Sequence, residues 1–132
     1  MILNLNTSLE AYQHQVQKRI RQVTSLHIDS LATLHAYLKT QQAVLLLFGA
    51  PDCGVCHSIK PRLKQLLETE YPKMQLCYID CAEQGEIAAA HRVFTLPVIE
   101  LYFHGQPFER FIKVFSMAEV REAIARPYQL LD

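Results

Sequence analysis

Apolar residues recur along this chain at two spacings, and the alternation between them predicts a succession of helices and strands. Apolar residues three or four positions apart are typical of amphipathic helices, whereas short unbroken apolar runs are typical of buried strands. The predicted strands are residues 23–28, 43–48, 74–79, 98–103 and 108–114. The predicted helices are residues 8–21, a helix capped by Asp29 or Ser30, a helix that begins after Cys53 and ends near Tyr71, residues 83–92, and a helix that begins at Ser116 and ends before Pro127.

The run from residue 43 to residue 48 identifies the centre of the predicted sheet. All of its residues are apolar, and a strand without alternation is buried on both faces, as in parallel or mixed sheets. A turn over residues 104–107, His-Gly-Gln-Pro, is expected to pair the last two strands as a hairpin. The sequence therefore predicts an α/β fold with a central mixed sheet of four to five strands flanked by helices.

The first predicted helix precedes this α/β pattern. Residues 7–10 match a capping box, and the apolar stripe that follows consists of Leu9, Tyr12, Val16 and Ile20. We therefore divide the chain into an N-terminal helical extension, residues 1–22, and a globular domain, residues 23–132. An amphipathic helix ordinarily buries its stripe on its own domain; a dimer or partner interface is the alternative use of that stripe.

Charge balance and apolar content restrict the class of partner. Thirteen basic residues balance thirteen acidic ones, so no net charge attracts nucleic acid or anionic lipid. The apolar runs are too short to span a bilayer, and the amino terminus lacks the features of a secretory signal. We therefore expect a cytoplasmic protein without nucleic-acid or membrane partners. In that reducing compartment cysteines more often serve catalysis or metal binding than structural disulfides.

The candidate chemistry lies at the boundary between the central strand and the helix that follows it. Cys53, Gly54, Val55 and Cys56 form a Cys-x-x-Cys motif with Cys53 at the predicted helix N-terminus. Unpaired N–H groups and the helix dipole stabilise a thiolate there, which makes Cys53 the expected nucleophile. Cys56 follows about one turn later and can resolve a mixed disulfide on Cys53. Gly54 and Val55, between the two sulfurs, are expected to tune the redox potential.

From about residue 23 to residue 125 the chain resembles the thioredoxin family. Pro61 matches that family's helix-kinking proline, and Leu96-Pro97 matches its cis-proline loop. The resemblance implies a thioredoxin-like fold and thiol–disulfide oxidoreductase activity on protein disulfides. It also implies an external electron donor such as a thioredoxin reductase, and no organic cofactor or metal.

The resemblance also implies where a substrate binds. The expected groove beside the dithiol is lined by Asp52, Thr95, Leu96, Pro97 and Val98. Phe115 stands about where the family tends to have a glycine near this groove. We therefore expect a narrower and more apolar surface than is usual for the family.

Three positions depart from the family pattern. The tryptophan before the first cysteine is Asp52, the buried aspartate six residues before it is Leu47, and the lysine that pairs with that aspartate is Leu76. The aspartate is understood to accept a proton from the second cysteine. His57 and Glu100 are the candidate substitutes, because an imidazole titrates near neutrality and burial raises the pKa of a carboxyl group.

Other functions remain open at this stage. A four-cysteine zinc site would use Cys53, Cys56, Cys77 and Cys81. Against it, Cys77 lies within an apolar strand and is expected to be a core residue. Cys53 to His57 also match the c-type haem attachment pattern, which the strand–turn–helix setting disfavours. A thioredoxin-fold interaction module without catalysis is the remaining alternative.

Overall fold

The computed structural model describes residues 28–132 together with three isolated positions, Leu9, Ala11 and Gln13. Those three positions are helical and exposed. The rest of the predicted helical extension and the predicted strand at residues 23–27 lie outside the described residues, as does the predicted domain boundary after residue 22. Ile28, the last residue of that predicted strand, is not in a strand.

From residue 28 onward, helices and strands alternate until the last two strands, which form a hairpin. The elements are α1 (Leu31–Thr40), β1 (Ala43–Gly49), α2 (Gly54–Glu70), β2 (Gln75–Asp80), α3 (Gly85–Ala90), β3 (Val98–Phe103), β4 (Gln106–Ile112) and α4 (Met117–Gln129). The described strands form one sheet in the order β2-β1-β3-β4, with β1 parallel to β2 and the other pairs antiparallel. The predicted mixed sheet flanked by helices is confirmed.

β1 forms the centre of the molecule because its side chains alternate between two apolar layers. All seven of its residues are buried. Leu45 and Leu47 pack into a core cluster with α2 and α4, whereas Leu46 and Phe48 pack into a second cluster with α1 and α3. Both faces of the strand exclude water, which explains the unbroken apolar run in the sequence.

The last helix does not end before Pro127, as the sequence predicted, but continues to Gln129. A proline inside a helix lacks the N–H group for one backbone hydrogen bond. Tyr128 offsets this loss, because its ring lies 4.9 Å from that of Tyr71 and its hydroxyl accepts a hydrogen bond of 3.0 Å from the backbone N–H of Lys73. Tertiary contacts therefore hold the last turn of α4 in place.

The hairpin between β3 and β4 is tighter than predicted. His104 and Gly105 both have positive φ, 52° and 78°, and form a two-residue turn of the kind that matches the twist of paired strands. β4 consequently begins at Gln106 rather than at residue 108. Pro107 is tolerated within β4 because this strand lies at the sheet edge.

Candidate active site

The dithiol lies where the central strand gives way to α2. Cys53 is the N-cap of α2 and has an extended backbone, with φ −95°. Its Sγ accepts a hydrogen bond of 3.2 Å from the backbone N–H of Cys56. A sulfur at this position receives an N–H group that the helix itself leaves unpaired, and it lies at the positive end of the helix dipole. The site therefore favours a thiolate on Cys53.

The two sulfurs differ in their access to solvent. Cys53 and Cys56 form a disulfide, with their Cα atoms 5.3 Å apart. Cys53 is partly exposed, whereas Cys56 is only 1% exposed and lies beneath the first turn of α2. Cys53 is therefore the more accessible of the two cysteines.

The residues around the dithiol form an open surface. Asp52, Gly54 and Val55 are exposed, and the Val55 side chain is 60% exposed despite being apolar. His57 is also exposed, and its Nε2 donates a hydrogen bond of 2.8 Å to the backbone oxygen of Pro51. This bond ties the start of α2 to the turn that precedes Cys53.

The loop before β3 lies at the same end of the sheet as the dithiol, because β3 runs antiparallel to β1. The Leu96–Pro97 peptide bond is cis. Thr95 is exposed and Leu96 is partly exposed, whereas Pro97 and Val98 are buried. The backbone N–H of Lys113 donates a hydrogen bond of 2.8 Å to the oxygen of Pro97, which anchors the loop to the end of β4.

The expectation for Phe115 is wrong. Phe115 packs against the core cluster beneath α2 and α4, with its ring 5.7 Å from that of Phe111. The residue beside the loop is Lys113, whose φ of 62° is in the region that favours glycine. A lysine, rather than an aromatic residue, therefore lies beside the cis-proline loop. The sequence could not indicate it, since β4 ends earlier than its apolar pattern suggests.

The register of β1 and β2 determines which side chain lies beside Leu47. The parallel register pairs Leu47 with Tyr78 and pairs Leu76 with Leu45. Leu47 is fully buried, and Tyr78 is packed against the same core cluster. Leu47 and Leu76, which stand where the resemblance puts the family's buried aspartate and its lysine, are therefore not paired with each other across the two strands.

Glu100 is not brought to the dithiol. Its strand neighbours Val98 and Tyr102 face the cluster that contains α1 and α3, on the opposite face of the sheet from Leu47. Nδ1 of His91 and the hydroxyl of Tyr102 each donate a hydrogen bond of 2.8 Å to Glu100 Oε1.

Two further groups complete this buried network. Nε of Arg110 lies 3.6 Å from Glu100 Oε2, and Nε2 of His91 is 3.3 Å from Nε2 of the exposed His35.

Burial alone would raise the pKa of Glu100, but the hydrogen bonds from His91 and Tyr102, together with the charge of Arg110, outweigh the effect of burial and lower that pKa. Glu100 is therefore a carboxylate held ionised by its partners.

The other two cysteines, Cys77 and Cys81, form no disulfide. Cys77 is fully buried in β2, and burial raises its pKa to about 12. Burial and the nearby Asp80 also raise the pKa of the Cys81 thiol. Among residues 28–132 no three histidine, cysteine or acidic side chains are grouped closely enough to hold a metal ion. Cys77, one of the four cysteines of the zinc alternative, packs with α1 and α3 on the face of the sheet opposite α2. None of the helices in this range is long and apolar enough to cross a membrane.

A dithiol at a helix N-terminus, facing a proline loop at one end of a mixed sheet, defines a thiol–disulfide oxidoreductase. The thioredoxin family model matches residues 25–126. The chain belongs to the thioredoxin family, and the predicted fold and class of reaction are confirmed.

Known relatives agree with this assignment. The thioredoxin-like protein YdfQ of Bacillus subtilis is 27% identical over 86% of this chain and 98% of its own length. NADPH-dependent thioredoxin reductase 3 of Arabidopsis thaliana is 25% identical over 87% of this chain, which spans 22% of that longer protein. The X-ray structure of Fasciola hepatica thioredoxin superposes with a TM-score of 0.67 at 25% identity, covering 75% of this chain and 95% of the other.

Proposed function

We propose that Cys53 is the attacking thiol and Cys56 the resolving thiol in the reduction or exchange of protein disulfides. The observation that carries this assignment is the N-cap position of Cys53, whose partly exposed sulfur accepts the Cys56 N–H while Cys56 itself is buried. An accessible thiol at a helix N-terminus suits attack on a bulky substrate, and a shielded thiol suits an intramolecular second step.

The two steps transfer two electrons from the dithiol to the substrate. The Cys53 thiolate attacks one sulfur of the substrate disulfide, and the other substrate sulfur leaves as a thiolate that takes up a proton from solvent. Cys56 then loses its proton and attacks Cys53, which breaks the mixed disulfide and releases the second substrate sulfur. The product is the Cys53–Cys56 disulfide, which an external dithiol must reduce.

The surface around Cys53 supports binding of an extended segment of the substrate. In this proposal Asp52, Thr95, Leu96 and Pro97 line the groove, with the backbone of Val98 at its floor. Val55, within the dithiol motif, and Phe94, directly before Thr95, are 60% and 84% exposed and are available for apolar contact. Exposed apolar side chains beside polar ones are typical of a protein-binding surface. Gly54, Val55 and His57 are the proposed redox-tuning residues, since they lie next to the two sulfurs.

For the electron donor we propose a reductase of the thioredoxin reductase class. The similarity to a protein named NADPH-dependent thioredoxin reductase 3 supports this choice. We propose the cytoplasm as the compartment, because Cys77 and Cys81 remain unpaired thiols, as is usual in reducing environments.

The test is disulfide reduction with insulin as substrate and dithiothreitol as donor, in the wild type and three variants. Cys53→Ser should abolish the protein-dependent rate, because no other exposed thiol has a favourable site. Cys56→Ser should retain mixed disulfides on Cys53, which mass spectrometry identifies. Cys81→Ser is the matched control and should leave the rate unchanged. Wild-type turnover in Cys53→Ser, or mixed disulfides on any other cysteine, would contradict the proposal.

A further inference from the structure

Tyr78 lies beside the buried half of the dithiol. It pairs with Leu47 across the parallel strands β1 and β2 and packs on the sheet face that α2 covers. Leu47 is apolar and cannot accept a proton or donate a hydrogen bond. A polar group that serves Cys56 must therefore come from another position on this face.

The absence of a side chain at Gly49 brings Tyr78 and Cys56 together. A Cβ atom on Gly49 would lie 2.8 Å from both Cε2 and the hydroxyl oxygen of Tyr78, and 3.0 Å from the Cβ of Cys56. The phenol and the Cys56 side chain thus converge on one small space above β1. When the disulfide opens, the Cys56 sulfur is free to rotate about its Cα–Cβ bond towards the hydroxyl.

Lys60 holds the Tyr78 ring at this point. Its Nζ lies 4.1 Å from the ring centroid, and it is one helical turn beyond Cys56 on α2. A cation over an aromatic face is attracted to it and limits its rotation. Burial, followed by the charges of Asp80 and Cys81, raises the pKa of Tyr78, so the phenol keeps its proton at neutral pH. It can therefore donate a hydrogen bond.

We propose that the Tyr78 hydroxyl donates a hydrogen bond to the Cys56 thiolate during the resolving step. This inference rests on the proposed role of Cys56. A hydrogen bond to the charged form of a group favours that form, so the donor increases the fraction of Cys56 that can attack. The Cys56 proton passes to solvent, Tyr78 keeps its own, and the sulfur–sulfur exchange is unchanged. In this chain the Tyr78 hydroxyl thus stabilises the Cys56 thiolate as a hydrogen-bond donor, whereas the family's buried aspartate is understood to accept the proton of the second cysteine.

The test separates the two steps of the reaction in Tyr78→Phe, which removes only the hydroxyl and keeps the ring beneath Lys60. The reduced protein is mixed with an aromatic disulfide, and release of the first and second thiols is followed by stopped-flow absorbance across pH 5 to 9. The first release should be unchanged. The second should be roughly three- to tenfold slower at neutral pH, the effect of one hydrogen bond, with its midpoint moved to higher pH.

Tyr71→Phe is the matched control, since it also removes one tyrosine hydroxyl. That hydroxyl donates a hydrogen bond of 3.0 Å to the backbone oxygen of Arg121, away from the dithiol. This control variant should leave both releases and the pH midpoint unchanged. The inference is overturned if Tyr78→Phe resolves at the wild-type rate with the wild-type midpoint, or if Tyr71→Phe shifts them equally. Failure of Cys56→Ser to hold the mixed disulfide would instead overturn the proposed role of Cys56 itself.

Discussion

At the residue scale, the surroundings of the dithiol depend on two positions, Cys53 and Gly49. Cys53 caps a helix with its sulfur, and Gly49 leaves space in which Tyr78 meets Cys56. Both effects follow from local geometry rather than from the Cys-x-x-Cys motif alone. A side chain added at Gly49 should therefore disturb the neighbours of Cys56.

Gly49→Ala should lower the free energy of unfolding by about 1–2 kcal/mol, the usual cost of overpacking. The new Cβ would stand 2.8 Å from the Tyr78 ring and force it to move. Urea unfolding measures the change. Gly85→Ala is the control, because nothing lies within 4 Å of its Cβ and it begins α3, where alanine is favoured. An equal loss in the two variants would show that the space above β1 is not tightly filled.

At the element scale, the sequence predicted strand and helix types well but their ends and facing residues poorly. β1 was visible as an unbroken apolar run because both of its faces are buried. The positions of Tyr78 and Glu100 relative to the dithiol depend on register and on the face of the sheet, which residue types alone do not determine. The end of α4 depended on contacts of Tyr128 with a distant part of the chain.

Pro127→Ala should raise the free energy of unfolding by about 1 kcal/mol. Alanine restores a backbone N–H inside α4 and has a much higher helix propensity, although the unfolded chain becomes more flexible. Denaturant unfolding is the measurement. Pro107→Ala, in the exposed edge strand β4, is the control and should change stability by less than about 0.5 kcal/mol. Destabilisation by Pro127→Ala would mean that the proline is required for the final turn.

At the scale of the whole molecule, β1 separates two different environments. One face of the sheet carries α2, α4 and the dithiol, and the other carries a buried network of Glu100, His91, Tyr102 and Arg110. The network joins β3, β4 and the segment after α3, because the Nη2 of Arg110 also donates to the backbone oxygens of His91 and Arg92. We therefore expect this network to stabilise the folded protein, by an amount that depends on pH.

Glu100→Gln should lower the free energy of unfolding at pH 7 by about 2 kcal/mol, because it removes hydrogen bonds to a charged acceptor. The folded protein lowers the pKa of Glu100. Its contribution is therefore complete above the pKa of an unfolded glutamate, about 4.3, and is lost as the pH falls through the lower folded value. Urea unfolding at pH 7, 5 and 3 should show the same difference between wild type and variant at pH 7 and 5, and a smaller difference at pH 3.

Two controls accompany Glu100→Gln. Glu70→Gln breaks an exposed ion pair of 3.0 Å with Arg121 and should cost less than about 1 kcal/mol. The rate of Cys53 alkylation in Glu100→Gln should match the wild type across pH, since the network faces away from α2. A shifted alkylation profile would show that Glu100 acts on the dithiol after all.

The meeting of Tyr78 and Cys56 also has an optical consequence. The chain contains six tyrosines and no tryptophan, so its intrinsic emission comes from phenol rings alone. A disulfide quenches an excited phenol that lies close to it, and Tyr78 and the Cys56 side chain both border the space at Gly49. We therefore expect the tyrosine emission of the unlabelled protein to rise when the disulfide is reduced, and Tyr78→Phe should diminish that rise.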